Sequence, residues 1–226
     1  MQSSDAITDR RIWDGLPPEV ARSLAQAAHA RAAVIRIPLR AAGGSSHWLV
    51  THWPHDARAV AAAAIGQPLL FPALCSGADA PLIARFAIDT RHTTTRAGRF
   101  LRACQHLQLT CCVRVAIPMP LDVALECLLY FEDAKAQWAA DVACAAAVLH
   151  WLPAFRTAMR TQSKLLTPRE VECLRMAFAG LTAGEVASRL ECSDRTVNFH
   201  YANLMTKLGV KNKLAAALIA SWLGLI

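Results

Sequence analysis

The sequence predicts an α+β domain, an α-β-α sandwich on an antiparallel sheet, followed by a small all-α domain of four helices. Two observations carry this reading. Before about residue 155, strand-like runs come in pairs around turns and are flanked by helical patterns. After residue 165, short apolar stripes at spacings of three and four recur, each opened by a capping residue. A chain of 226 residues, 54% of them hydrophobic, is long enough to bury a core in each part.

In order, "PPEVARSLAQAAHAR" at residues 17–31 reads as a helix. "AVIRIPL" and "HWLVTHW" follow as strands, with "AAGGSS" as a hairpin-like loop between them. Residues 55–65 read as helical, then comes proline-rich irregular chain, then a helix over about 94–108. "TCCVRVAI" and "ALECLLYFE" form a second strand pair around the turn "PMPLD", and an alanine-rich helix over about 133–150 closes the domain. Basic and polar residues in "FRTAMRTQSKL" separate two hydrophobic patterns, which divides the chain into 1–155, a linker at 156–165, and 166–226.

Composition excludes some classes. The start, "MQSSDAITDRRIWDG", is polar where an export signal would be apolar. The most apolar run, "AVAAAAIGQPLLFPALC", is interrupted by Gly66, Gln67, Pro68 and Pro72, so it reads as buried protein and no membrane partner is expected. The eight cysteines include no Cys-x-x-Cys, so no metal site is expected, and cytoplasmic, reduced thiols packed as small hydrophobes are. The net charge of +7 favours an anionic partner.

The last quarter is the most informative. "LTPREVECLRMAFAG" places Thr167 as a cap, Pro168 at the first helical position and Glu170 to close a capping box, with Val171, Leu174 and Phe178 spaced for one buried face. "LTAGEVASRLECS" repeats the device with Thr182 and Glu185, and buries Val186 and Leu190. Ser193 caps the next helix and Gly209 ends it. In that helix Val197, Tyr201, Leu204, Met205 and Leu208 share one side. Arg195, Thr196, Phe199, Ala202, Asn203, Thr206 and Lys207 share the other, with no acid after Asp194. A face of donors, cations and one aromatic suits a groove: the donors and cations for base edges and phosphates, the aromatic for thymine methyls. The closing helix, Lys213 to Leu223, spaces Leu214, Leu218 and Trp222 along one stripe.

Three short helices with tight turns, then a fourth, describe a helix-turn-helix. With "LTPREVECL", "EVASRL", "TVNFH" and "KLGV" in order, the segment from Leu166 to Ile226 resembles the LuxR-type helix-turn-helix of bacterial transcription regulators, in its quorum-sensing branch. The resemblance implies a DNA-binding regulator, with double-stranded DNA as partner. It puts Asn198, Phe199 and Ala202 at base edges. Thr182, Thr196, His200, Asn203 and Lys207 fall where residues hold phosphates or brace the helix, and Arg195 lies on the same face. His200 reads equally well as a packed imidazole. The last helix, through Leu214, Leu218 and Trp222, implies a homodimer interface, although the module's own core would use the same residues.

For residues 1–155, a phosphate-accepting receiver is excluded, because no acid follows the first strand "AVIRIPLR". Length and element order resemble instead the acyl-homoserine-lactone-binding domain of LuxR proteins, a sensing and dimerising domain. The departures matter. In "HWPHDARAVAAAAIGQPLLFP", Ala57 stands at the place of the family's tryptophan, Ala61 near a tyrosine place, and no aspartate precedes the proline of "QPLLFP". Without that carboxylate a ligand amide forfeits a charge-assisted bond worth about 1.5–3 kcal/mol. Trp48, His52 and Trp53 offer another polar-aromatic pocket, although aromatics on such strands more often serve the core. The expected ligand is therefore an acyl-homoserine lactone, another small molecule, or none, and no further cofactor is expected. The alternative to a regulator is an antagonist that pairs with a related regulator. An enzyme built on Cys104, Cys111 or Cys112 with His92 or His106 has nothing in the sequence to join nucleophile and base, so no catalytic residue is assigned.

Overall fold

The structure is a computed structural model and describes residues 19–41, 44–53, 81–89, 98–120, 123–132, 138–162 and 166–226. It divides into two compact units that part between Phe155 and Arg156. The helix expected at 55–65 and the segment around Pro54, Ala57 and Ala61 lie outside the described residues.

The N-terminal unit is built on five strands: β1 (Ala32–Ala41), β2 (Gly44–His52), β3 (Ile83–Ala87), β4 (Cys111–Met119) and β5 (Val123–Phe131). Their order is β2-β1-β5-β4-β3, with every neighbouring pair antiparallel. Successive side chains alternate between the two sheet faces, so the register assigns each residue a side. One face carries Ala32, Val34 and Arg36 on β1, Cys112 and Arg114 on β4, and Glu126, Leu128 and Tyr130 on β5. Helix α2 (Gly98–His106) covers it, with Phe100, Leu101 and Cys104 packed into the same core as Trp53 and Tyr130.

The other face carries Ala33, Ile35, Val113, Cys127 and Leu129, all buried. Helices α1 (Glu19–Ala27) and α3 (Trp138–Gln162) lie on this side. Trp151 Nε1 of α3 donates to Ser23 Oγ of α1 at 3.0 Å. Arg85 Nε of β3 donates to Asp141 Oδ1 of α3 at 2.8 Å. The result is the α-β-α sandwich that the strand pairs predict.

Two departures have physical reasons. Strand β3 forms in what reads as irregular, proline-rich chain, because β4 leaves an open edge whose backbone groups "IARFA" can satisfy. Helix α3 does not stop near 150 but runs through Pro153 to Gln162, taking in most of the segment read as a linker. A proline inside a helix removes one backbone hydrogen bond and costs about 3 kcal/mol. Burial of Phe155 and Met159 beyond it, in line with Cys144, Val148 and Trp151, offsets that cost. This helix is also long and apolar enough to cross a membrane by length and composition alone, a test that core helices of soluble proteins pass as well.

The C-terminal unit holds α4 (Pro168–Phe178), α5 (Ala183–Arg189), α6 (Asp194–Leu208) and α7 (Lys213–Leu223). Both capping boxes form, at Thr167–Glu170 and Thr182–Glu185. Ser193 and Asn212 cap α6 and α7, and Gly209 ends α6 at φ +68°, a left-handed conformation that glycine adopts without strain. Some expected core positions differ: Val171 and Leu190 are only half-buried, and Phe178 is 54% exposed, because α4 turns Glu170, Cys173 and Leu174 inward instead.

Candidate nucleic-acid interface

Helix α6 separates its faces cleanly. Val197, Tyr201, Leu204 and Leu208 are buried against the bundle, and Met205 is half-buried. The Tyr201 hydroxyl donates to the Cys173 carbonyl of α4 at 3.4 Å, and the Lys213 ammonium of α7 lies 4.2 Å from the centre of the Tyr201 ring. These contacts hold α6 from behind. Its front shows Arg195, Thr196, Asn198, Phe199, Ala202 and Thr206 exposed. Phe199 is 63% exposed, a large ring whose centre lies 6.1 Å from that of the neighbouring His200.

The flanking residues sort differently. Thr182 is exposed at the start of α5, where its backbone N–H donates to Glu185 Oε2 at 2.7 Å and its hydroxyl accepts from the Glu185 N–H at 3.3 Å. Thr196 N–H donates to Ser193 Oγ at 3.2 Å, so this threonine belongs to the cap as well as to the face. His200 and Asn203 are half-buried on the flank of the helix. The Lys207 ammonium is turned inward to Glu170, 2.8 Å from each carboxylate oxygen.

On α7 the core is made by Ala215, Ala216, Ala217, Ile219, Ala220 and Leu223. The stripe of Leu214, Leu218 and Trp222 lies outside it: Leu214 is 68% exposed, Leu218 and Trp222 half-buried. The Arg156 guanidinium stacks 5.0 Å over the Trp222 ring, so part of that stripe is already covered within its own unit.

Comparison with known proteins decides what this bundle is. Residues 164–220 match the family model of bacterial regulatory proteins, luxR family. That segment is a luxR-type helix-turn-helix domain. The domain is 49% identical over 61 residues to the transcriptional activator protein AnoR of Acinetobacter nosocomialis, covering 27% of this chain and 26% of that one. It is 44% identical over 61 residues to the HTH-type quorum-sensing regulator RhlR of Pseudomonas aeruginosa, covering 27% and 25%. The matched stretch thus spans about a quarter of the length of these curated relatives. Across the whole chain there is a likeness to the solved structure of SdiA in complex with octanoyl-rac-glycerol, at 18% identity and a TM-score of 0.45, covering 100% of this chain and 98% of that one.

The residues singled out in the N-terminal unit do not form one site. Trp53 is buried in an aromatic cluster, 5.8 Å from Phe100 and 5.0 Å from Tyr130 between ring centres. His52 is paired with Ala33 and so belongs to the opposite sheet face, where burial and the charge of Arg22 lower its pKa. Trp48 stands in β2 opposite Ile37. Of the thiols considered for catalysis, burial pushes Cys104 up to about 12 and Cys112 well above its usual value, while Cys111 accepts a hydrogen bond from Arg85 at 3.0 Å. Buried thiols of this kind behave as small hydrophobes.

Sequence reading missed a group on the α2 side of the sheet. Glu126 of β5 binds Arg36 of β1 through one carboxylate oxygen and Arg114 of β4 through the other, Arg114 Nε and Nη2 at 3.0 and 2.8 Å. Arg114 Nη1 also donates to the Pro81 carbonyl at 2.8 Å. All three side chains are buried. The available signal was one charged residue in the middle of each apolar strand run: "AVIRIPL", "TCCVRVAI" and "ALECLLYFE".

Proposed function

We propose that this chain is a sequence-specific DNA-binding transcription regulator, acting as a dimer in the cytoplasm, with the N-terminal unit as a sensing domain. The observation that carries the proposal is the front of α6. A capped helix, braced from behind, presents Arg195, Asn198, Phe199 and Ala202 to solvent with no acid among them. Set into a major groove, Asn198 reads a base edge, Phe199 and Ala202 meet thymine methyls, and Arg195 and Thr182 meet phosphates. The names of the relatives support the same reading: AnoR is called a transcriptional activator and RhlR a quorum-sensing regulator.

One such helix reads few base pairs, so a pair of domains on an inverted repeat supplies the specificity that one lacks. The outward Leu214 and Leu218 supply an apolar contact for that pairing. A small molecule bound to the N-terminal unit would act by favouring the dimer geometry that fits the operator.

The experiment is operator selection from a random duplex library with the full chain, then titration of the selected site. Recovery of an inverted repeat, with affinity lost in Asn198→Ala, supports the reading. If no sequence is enriched while a related regulator is captured as a heterodimer, the chain is an antagonist instead.

A further inference from the structure

The front of α6 is short of the groups that read guanine. Of the two Lys and Arg side chains on this helix, Lys207 is turned inward, 2.8 Å from both carboxylate oxygens of Glu170, and Arg195 stands in the first turn. Past Arg195, the exposed front consists of Thr196, Asn198, Phe199, Ala202 and Thr206. Guanine presents two acceptors, N7 and O6, in the major groove, and their usual partner is a bidentate cation. Asn198 matches adenine instead, which offers one donor and one acceptor.

Phe199 and Ala202 carry no hydrogen-bonding group on their side chains. Phe199 is 63% exposed and Ala202 is exposed three positions on, so the two are neighbours on the helix surface. Their separation along the axis is about 4.5 Å at the helical rise of ~1.5 Å per residue. That is close to the ~3.4 Å between successive base pairs. A ring and a methyl so spaced suit two apolar groups on neighbouring base pairs. The apolar group that the major groove offers is the methyl on C5 of thymine.

We infer that operator binding by this helix depends on C5-methyl groups read by Phe199 and Ala202, and that 5-methylcytosine replaces thymine there. This rests on the reading of the chain as a sequence-specific regulator and names the chemical group that it reads. The methyl of 5-methylcytosine sits on the same groove edge as that of thymine and presents the same apolar surface. Methylation at C5 of a cytosine facing Phe199 or Ala202 therefore strengthens binding, which makes occupancy of such sites sensitive to DNA modification.

The test titrates the full chain with the operator recovered by selection, remade with uracil in place of thymine one position at a time. Uracil pairs as thymine does and lacks only the methyl. Adjacent positions in each half-site should weaken about fourfold as uracil, the loss expected for one buried methyl. Cytosine placed at those positions should gain about fourfold on C5 methylation. Replacing guanine by 7-deazaguanine, which lacks the N7 acceptor, should leave affinity unchanged. Phe199→Ala is the second arm. Its side chain is exposed, so the variant should fold as the parent does, and at the position it reads thymine and uracil should then bind alike. An effect of the methyl on DNA stiffness would instead persist in that variant. Uracil tolerated at every position, uracil losses that all survive in Phe199→Ala, no gain on cytosine methylation, or a loss with 7-deazaguanine overturns the inference. If selection enriches no sequence, both readings fall; an enriched operator that binds equally well with uracil overturns this inference alone.

Discussion

The Lys207 ammonium lies 2.8 Å from both carboxylate oxygens of Glu170, and so ties the last turn of α6 to the first turn of α4. Glu170 is 2% exposed and already receives the Thr167 N–H at 2.7 Å, so one carboxylate serves a helix cap and an interhelical brace together. Removing the lysine leaves a buried carboxylate short of its partner. Lys207→Met should therefore lower the denaturant midpoint by an amount equivalent to about 1–2 kcal/mol. The salt dependence of DNA binding should barely move, because the ammonium faces inward. A salt slope reduced by one unit with no loss of stability would show Lys207 on a phosphate instead.

Arg195 is the contrasting cation, exposed at the start of the groove face. Arg195→Ala should leave the melting temperature within a degree or so and weaken all DNA sequences alike. The slope of log K against log salt should drop by about one unit in a titration series.

Asn198→Ala should act differently from either. Its cost, about 1–3 kcal/mol, should fall on the preferred operator alone and relax the choice at one base position in a selection experiment. Equal losses on specific and random duplexes would move Asn198 off the base edge.

Glu185 gives a pH dependence whose sign is fixed. The Thr182 backbone N–H and hydroxyl both favour its ionised form and hold its pKa below the usual 4.5. The unfolded chain therefore binds the proton first as pH falls. Stability from this cap is complete above about pH 4.5 and is lost as pH drops through the lowered value. Melting curves of Glu185→Gln should be flatter over that acid range than those of the parent protein.

Leu214→Glu tests the outer stripe of α7. The side chain is 68% exposed, so the domain should fold and melt as before. In sedimentation on operator DNA the dimer should give way to a single bound copy. Unchanged stoichiometry would place the pairing surface elsewhere.

How much of this was legible depends on how local each cause is. Caps, the left-handed glycine after α6 and the two faces of α6 arise within a few residues of chain, and "TPRE", "TAGE" and "SDRTVNFHY" spell them directly. The β4–β5 pair is almost as local, since Met119 at the end of one strand is paired with Val123 at the start of the next. Lys207 illustrates the limit. Its place on the polar side of the helix follows from the sequence, but its partner lies 37 residues away, and only packing of α4 against α6 turns the ammonium inward.

By itself, then, the sequence determined where the C-terminal helices begin and end, which face of α6 looks outward, and the pairing of strands across short turns. Tertiary structure alone decided that "IARFA" becomes an edge strand, that α3 continues past Pro153, and that Phe178 faces solvent. It also decided that Arg36 meets Glu126 from 90 residues away. The physical reason is common to these cases: each depends on a surface, a sheet edge or a charge supplied by distant chain. Local propensity assigns a strand or a helix, but only the assembled fold supplies the partner that makes burial of a proline helix or of three charges tolerable.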